Sequence, residues 1–164
     1  MQTKKILQEQ MEACFSRKNW FVSLSESMKN LTPEQASQAS SETNHSVKQI
    51  VIHLIFWNER YLYRFKDIPT TEFREDNRIT FTEKSLDNNK TSWDNLSERL
   101  RNILDEWQSE LTSASEEKLL KTLHGTSDSW ASTISQIILH NAYHLGQIVC
   151  LRKEHGNWDS RLGV

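Results

Sequence analysis

Apolar residues recur along this chain in steps of three and four in four separate stretches, the period of a helix that buries one face. The first stretch, over roughly 4–30, carries Leu7, Met11, Cys14, Phe15, Phe21, Val22, Leu24 and Met28, with Leu31 just beyond, and predicts one long amphipathic helix. Lys18 interrupts its stripe, with a stem long enough to reach solvent. Thr32-Pro33-Glu34 then sets an N-cap before a proline at the first helical position, which predicts a short helical turn. The polar run 38–44 is predicted loop. Ser46 and Gln49 form a capping box that opens a second helix, running to about Phe65 with Ile50, Leu54, Trp57 and Tyr61 on one line. The third stretch aligns Trp93, Leu96, Leu100, Ile103, Leu104, Trp107 and Leu111 on one face, with Thr91 or Ser92 as its cap. The fourth opens on a second box, Thr133-Ile134-Ser135-Gln136, and continues to about His155.

Between these stretches the chain is polar. The segment 66–92 is long for a connection inside a compact domain, which suggests a crossover or a functional loop. Within it, 78–82 has the composition of a short strand. The alternation Leu119, Lys121, Leu123, with Gly125 after it, suits a small β-hairpin before the fourth helix. The end, 156–164, is a polar tail around Trp158. Four helices with a long connection between the second and third predict an all-α four-helix bundle over a single domain, 1–164. In such bundles, sites form between facing helices.

Composition narrows the class further. Only 4 glycines and 2 prolines in 164 residues argue against an all-β fold with many tight turns. A net charge of −2 with both signs interspersed leaves no electrostatic footprint for nucleic acid. No apolar run approaches the roughly 20 residues of a membrane span. The charged, amphipathic start lacks the apolar core of a signal peptide, so a cytoplasmic protein is expected. Cys14 and Cys150 both fall in helical patterns and are expected to be free, buried thiols. Trp20, Trp93, Trp107 and Trp158 exceed what one small core must contain, which suggests a homodimer.

The candidate chemistry is histidine. His140 and His144 stand four apart in the apolar run H-N-A-Y-H-L-G-Q, one turn apart on one helix face. Two imidazoles so spaced can converge on a divalent metal ion. A third candidate is His53. The segments 46–53 and 133–140 match position by position: a capping box, three apolar residues, then histidine. Helices starting at a common level would hold His53 and His140 about 10 Å from each start, at 1.5 Å rise per residue. Three neutral imidazoles with one open position make a catalytic rather than a structural metal site. The open position would take water, a thiolate or a carbonyl oxygen. Cys150 lies ten residues past His140, some 80° off that helix face, and is a poor ligand. His45, His124 and His155 fall in loops or at helix ends and are given no site role. Zinc proteases carry glutamate after the first histidine of H-E-x-x-H, whereas that position here is Asn141. No Ser-His-Asp pattern, phosphate-binding glycine loop or Cys-x-x-Cys pair is present. An acid or base must come from another position, with Glu59 and Tyr143 as candidates by proximity.

H-L-x-F-W-N-E-R from His53 and H-N-A-Y-H-L-G-Q-I from His140 resemble the DinB-like superfamily of small bacterial four-helix-bundle proteins. Helix order, the long second connection and chain length agree with it. The resemblance implies an up-down-down-up bundle and a divalent metal, zinc or nickel, on His53, His140 and His144. It also implies that Gln147 supports a ligand from outside the coordination sphere. Some members of that family transfer a low-molecular-weight thiol such as bacillithiol or mycothiol, and others are labelled hydrolases or isomerases. The function expected is thus a metal-dependent enzyme on a small-molecule substrate, a thiol S-transferase or hydrolase. The alternative is a non-enzymatic stress-response or binding module whose metal is structural or absent.

Overall fold

Seven α-helices and no strand make up residues 2–17, 19–41, 45–86 and 90–163, which the computed structural model describes. Four of the helices are long: α1 (Gln2–Phe15), α4 (Val47–Phe65), α5 (Trp93–Ser113) and α7 (Trp130–Glu154). Three are single turns: α2 (Leu24–Ser27), α3 (Pro33–Ser37) and α6 (Glu116–Leu120). Helix α1 packs on α5 and α7, and α4 packs on the same two, closing a ring around one apolar core.

The first helix is shorter than its apolar period predicts. It stops at Phe15, and Phe21, the next position of the predicted stripe, is 40% exposed, beside Trp20 at 99%. Val22, Leu24 and Leu31 of the same stripe are buried, but from outside the helix. A separate turn starts where the Ser23 hydroxyl accepts the Glu26 amide, and Asn30 turns out of it with φ +60°. Lys18 lies outside the described residues.

Both expected caps near the second helix form. Thr32 and Gln35 bond reciprocally around Pro33, as do Ser46 and Gln49 at the start of α4. Of the loop expected over 38–44, residues 42–44 lie outside the described set, and the flanks meet in one bridge between Ala39 and Ser46.

The strand expected over 78–82 is instead a 3₁₀ turn, Asn77–Phe81, followed by a second, Glu83–Ser85. The side chains explain the difference. Asp76 accepts the Arg78 amide, Thr80 donates to the Asn77 carbonyl (2.6 Å) and Thr82 to the Ile79 carbonyl (2.7 Å). Short polar side chains satisfy the local backbone and remove the need for a strand partner.

Helix α5 follows its pattern, capped by Ser92, with all seven predicted apolar positions buried. The hairpin before the fourth helix does not form. Ser115 caps α6, with Glu116 and Glu117 in its first turn, so helix takes part of that segment. Only one antiparallel bridge, Thr122 with Ser129, remains of the pairing, around Gly125 at φ +83°.

The last helix starts at Trp130 on a Ser129 cap, three residues before the box at Thr133, which lies buried within it. Trp130 is drawn in because its ring meets Phe65 edge-on, 5.0 Å between centroids. His53 and His140 therefore do not stand at matching distances from their caps, and the segment likeness carries no depth information.

Of the four tryptophans thought surplus to one core, Trp93 and Trp107 are core residues whose indoles donate to the carbonyls of Leu31 and Asn58. Trp158 lies under the Arg152 guanidinium, and only Trp20 is fully exposed. They lend no support to a dimer. Both cysteines are free, but Cys150 is exposed rather than buried. Burial of Cys14 pushes its thiol up to about 12. No described helix is long and apolar enough to cross a membrane.

Candidate metal centre

Helices α4 and α7 lie side by side, and each is regular where it carries histidine. Helix α4 contributes His53, and α7 contributes His140 and His144, one turn apart on the face toward α4. The His140 Nε2 atom stands 3.0 Å from His53 Nε2 and 3.1 Å from His144 Nε2. One ligand atom from each ring lies within 4.8 Å of the others, so the set could hold a metal ion. A tetrahedral ion at ~2.0–2.1 Å from each nitrogen would set them about 3.3 Å apart, close to this spacing.

Proton accounting tests the fit. Thr80 Oγ1 contacts both the Asn77 carbonyl and His53 Nδ1, each at 2.6 Å. A hydroxyl has one proton and a carbonyl only accepts, so the hydroxyl donates to Asn77 and His53 Nδ1–H donates to Thr80. His144 Nδ1 meets Gln147 Oε1 at 2.6 Å, while the Gln147 amide nitrogen donates to the Tyr143 hydroxyl at 3.1 Å. His144 must therefore also carry its proton on Nδ1. In their neutral forms His53 and His144 thus turn bare Nε2 lone pairs toward His140, which has at most one Nε2 proton to share between them. Three converging nitrogens with too few protons suit a cation.

Neutrality itself comes from burial. His53 and His144 are almost fully buried and His140 half-buried. Burial first, then the neighbouring histidines, pushes His53 down to about 3. Burial and His144 push His140 down to about 4. His144 is lowered by burial, against the opposing effect of the hydrogen bond it donates to Gln147. Uncharged imidazole is the form that ligates metals.

A cavity of about 690 Å³ opens on these rings. Trp57 and Tyr61 of α4, Phe81 of the connection and Tyr143 of α7 supply its aromatic surfaces. Phe81 stacks on His53 (4.0 Å between centroids) and on His45 (4.4 Å).

The structure brings together His53, His140, His144, Gln147 and Tyr143 as named from sequence. Glu59 does not join them. It is half-buried in an ion pair with Arg99 of α5 (2.5 Å) and does not line the cavity. Two participants, Thr80 and Phe81, are not named from sequence, and a third, His45, expected to have no site role, stacks on Phe81 and lines the cavity. The Asx turn at Asp76 and the apolar residues of 79–81 inside a polar run were the available signals for the first two. Asn141, noted in sequence only as a missing glutamate, is fully buried and exchanges two hydrogen bonds with Asn58 (2.8 and 2.9 Å), fixing α7 against α4 beside the histidines.

A family model described as the DinB superfamily matches residues 22–148. Neither the curated proteins nor the solved structures contain a match to the chain.

Proposed function

The chain belongs to the DinB superfamily, and on that premise we propose that it is a metal-dependent enzyme acting on a small molecule. Its ligands are His53, His140 and His144, its metal is zinc or nickel, and its reaction is thiol S-transfer or hydrolysis. The observation that carries this reading is the convergence of the three Nε2 atoms at 3.0 and 3.1 Å, with the Nδ1 protons of His53 and His144 committed to Thr80 and Gln147. The contact ring of the four long helices is consistent with an up-down-down-up bundle forming one domain over 1–164, which belongs to the same proposal.

A divalent cation in this set supplies Lewis acidity, lowering the pKa of a water or thiol that reaches it. The chain's own contribution is orientation. Thr80 and Gln147 fix two imidazoles, the Asn58–Asn141 pair fixes the spacing of the helices, and Phe81 packs against His53. His45 and Tyr143 line the same cavity and are the groups available to take or give a proton. Glu59 is removed from that role by Arg99.

The non-enzymatic reading keeps one observation in its favour: among the described residues, no carboxylate lines the cavity. Metal analysis of tag-free protein, followed by a screen of electrophiles with several low-molecular-weight thiols, separates the two. One divalent ion per chain, lost in His140→Ala, with turnover of an electrophile, supports the enzyme. Bound metal with no turnover, and a His144→Ala variant that merely melts at a lower temperature, supports the module.

A further inference from the structure

The cavity beside the three histidines has a composition that selects its occupant. Among the described residues that line it, none is Asp, Glu, Lys or Arg, in a chain that is 26% charged. The charged residues of α4 have partners of their own: Lys48 with Glu83, Glu59 with Arg99, Arg60 with the Thr71 carbonyl, and Arg64 with the His124 carbonyl and, 5.4 Å from the ring centre, over Tyr61. Helix α7 carries no charged residue from Trp130 to Leu151. A substrate bearing several carboxylates or phosphates would find no cation among the described lining residues, and an ammonium group no carboxylate. Burying either unpaired is costly.

What the cavity does offer is flat apolar surface with neutral polar edges. Trp57 and Tyr61 stand one and two turns beyond His53, their rings 6.1 Å apart and inclined by 33°. Phe81 closes the His53 side and Tyr143 stands at the exposed edge of α7. Gln136, Thr133 and Asn77 supply uncharged donors and acceptors. About 690 Å³ lies within the ~300–1,000 Å³ of small-molecule sites and accommodates one or two rings. Imidazole ligates a metal as a neutral group and no carboxylate is among the described lining residues, so these residues would leave the charge of a divalent ion uncompensated. An anionic donor atom from the ligand would balance it in part.

We infer that this cavity takes an aromatic molecule whose body is uncharged and which presents a single anionic donor atom, a thiolate or carboxylate, toward the three histidines. The inference rests on the metal reading for the donor atom and on the aromatic wall alone for the body. Trp57 is the specificity-determining residue. It faces the ligand's ring, and its indole N–H, a donor only, carries no atom that ligates a metal.

The test is titration calorimetry on the full chain, loaded with cobalt(II) and metal-free. The probes are benzenethiol and benzoate against mercaptosuccinate and 2-aminoethanethiol, with cobalt absorption reporting the donor atom. Loaded protein is expected to bind the two aromatic probes at least about ten-fold more tightly than the charged thiols, with the cobalt spectrum changing on binding. Trp57→Ala should lower aromatic affinity by about ten-fold, in line with one aromatic pair, and leave cobalt affinity unchanged. Trp57→Phe should restore most of it. The metal-free protein should keep the same order of affinities, more weakly. Mercaptosuccinate binding as tightly as benzenethiol, or Trp57→Ala without effect on aromatic affinity while cobalt still binds, overturns the inference. Failure of cobalt to bind overturns the metal reading instead, and the metal-free series then decides the aromatic preference by itself.

Discussion

His53 and His144 are held for the same purpose by opposite means. The acceptor for His144 Nδ1 is Gln147, one turn further along the same helix. The acceptor for His53 Nδ1 is Thr80, 27 residues away in a 3₁₀ turn of the connection between α4 and α5. One imidazole is oriented by helical geometry, which exists wherever α7 is helical. The other is oriented only if a polar connection has folded back onto α4. The connection is thus part of the site, and Phe81, stacked on both His53 and His45, belongs to the same piece. A centre with one local and one remote support should fail asymmetrically.

Removing His140 should have the largest effect, since it is the nitrogen both other ligands face. His140→Ala should lower metal affinity by more than about 100-fold, beyond the range of a lost outer support, as read by competition against a chromophoric chelator. Next, Thr80→Val should cost about 10–100-fold in metal affinity and loosen the connection, with faster amide exchange over 77–81 in the metal-free chain. Gln147→Ala should fall at the low end of that same range, about ten-fold, with no change in amide exchange over 77–81. Equal losses for the two, with unaltered exchange in both, would show that the connection does not hold His53.

The Asn58–Asn141 pair separates helix spacing from ligand orientation. Either Asn58→Leu or Asn141→Leu leaves a buried amide without its partner, and should cost about 1–3 kcal/mol in urea unfolding. The double variant should cost less than the sum, because both unsatisfied groups are gone together. The smallest effect concerns the thiols. Exposed Cys150 should react promptly with a disulfide reagent, and Cys14, buried and with its thiol pushed up to about 12, only on unfolding.

The same asymmetry explains what could be read from sequence. His140, His144 and Gln147 lie within eight residues of one helix, so spacing alone nearly determines their relation. His53 is legible as a helical position with a capped start and meets His140, Nε2 to Nε2, at 3.0 Å, although α7 starts three residues before the expected box, where Trp130 packs on Phe65. Thr80 and Phe81 were not legible: a 3₁₀ turn has no long period, and their partner lies on another element. Glu59 was misplaced because neighbouring positions on α4 point to different neighbours, and the Arg99 that takes it is on α5. Periodicity shows which residues share a face. It does not show which element covers that face.

The central claim is that three imidazole Nε2 atoms, two of them fixed by Thr80 and Gln147, hold one divalent ion. X-ray absorption on tag-free, zinc-loaded chain tests it most directly. The account predicts one zinc per chain with three imidazole nitrogens at about 2.0–2.1 Å, no sulfur among the ligands of the protein alone, and loss of that signature in His53→Ala, His140→Ala and His144→Ala alike. A sulfur ligand from Cys14 or Cys150, or an unchanged spectrum in any of the three variants, would contradict it.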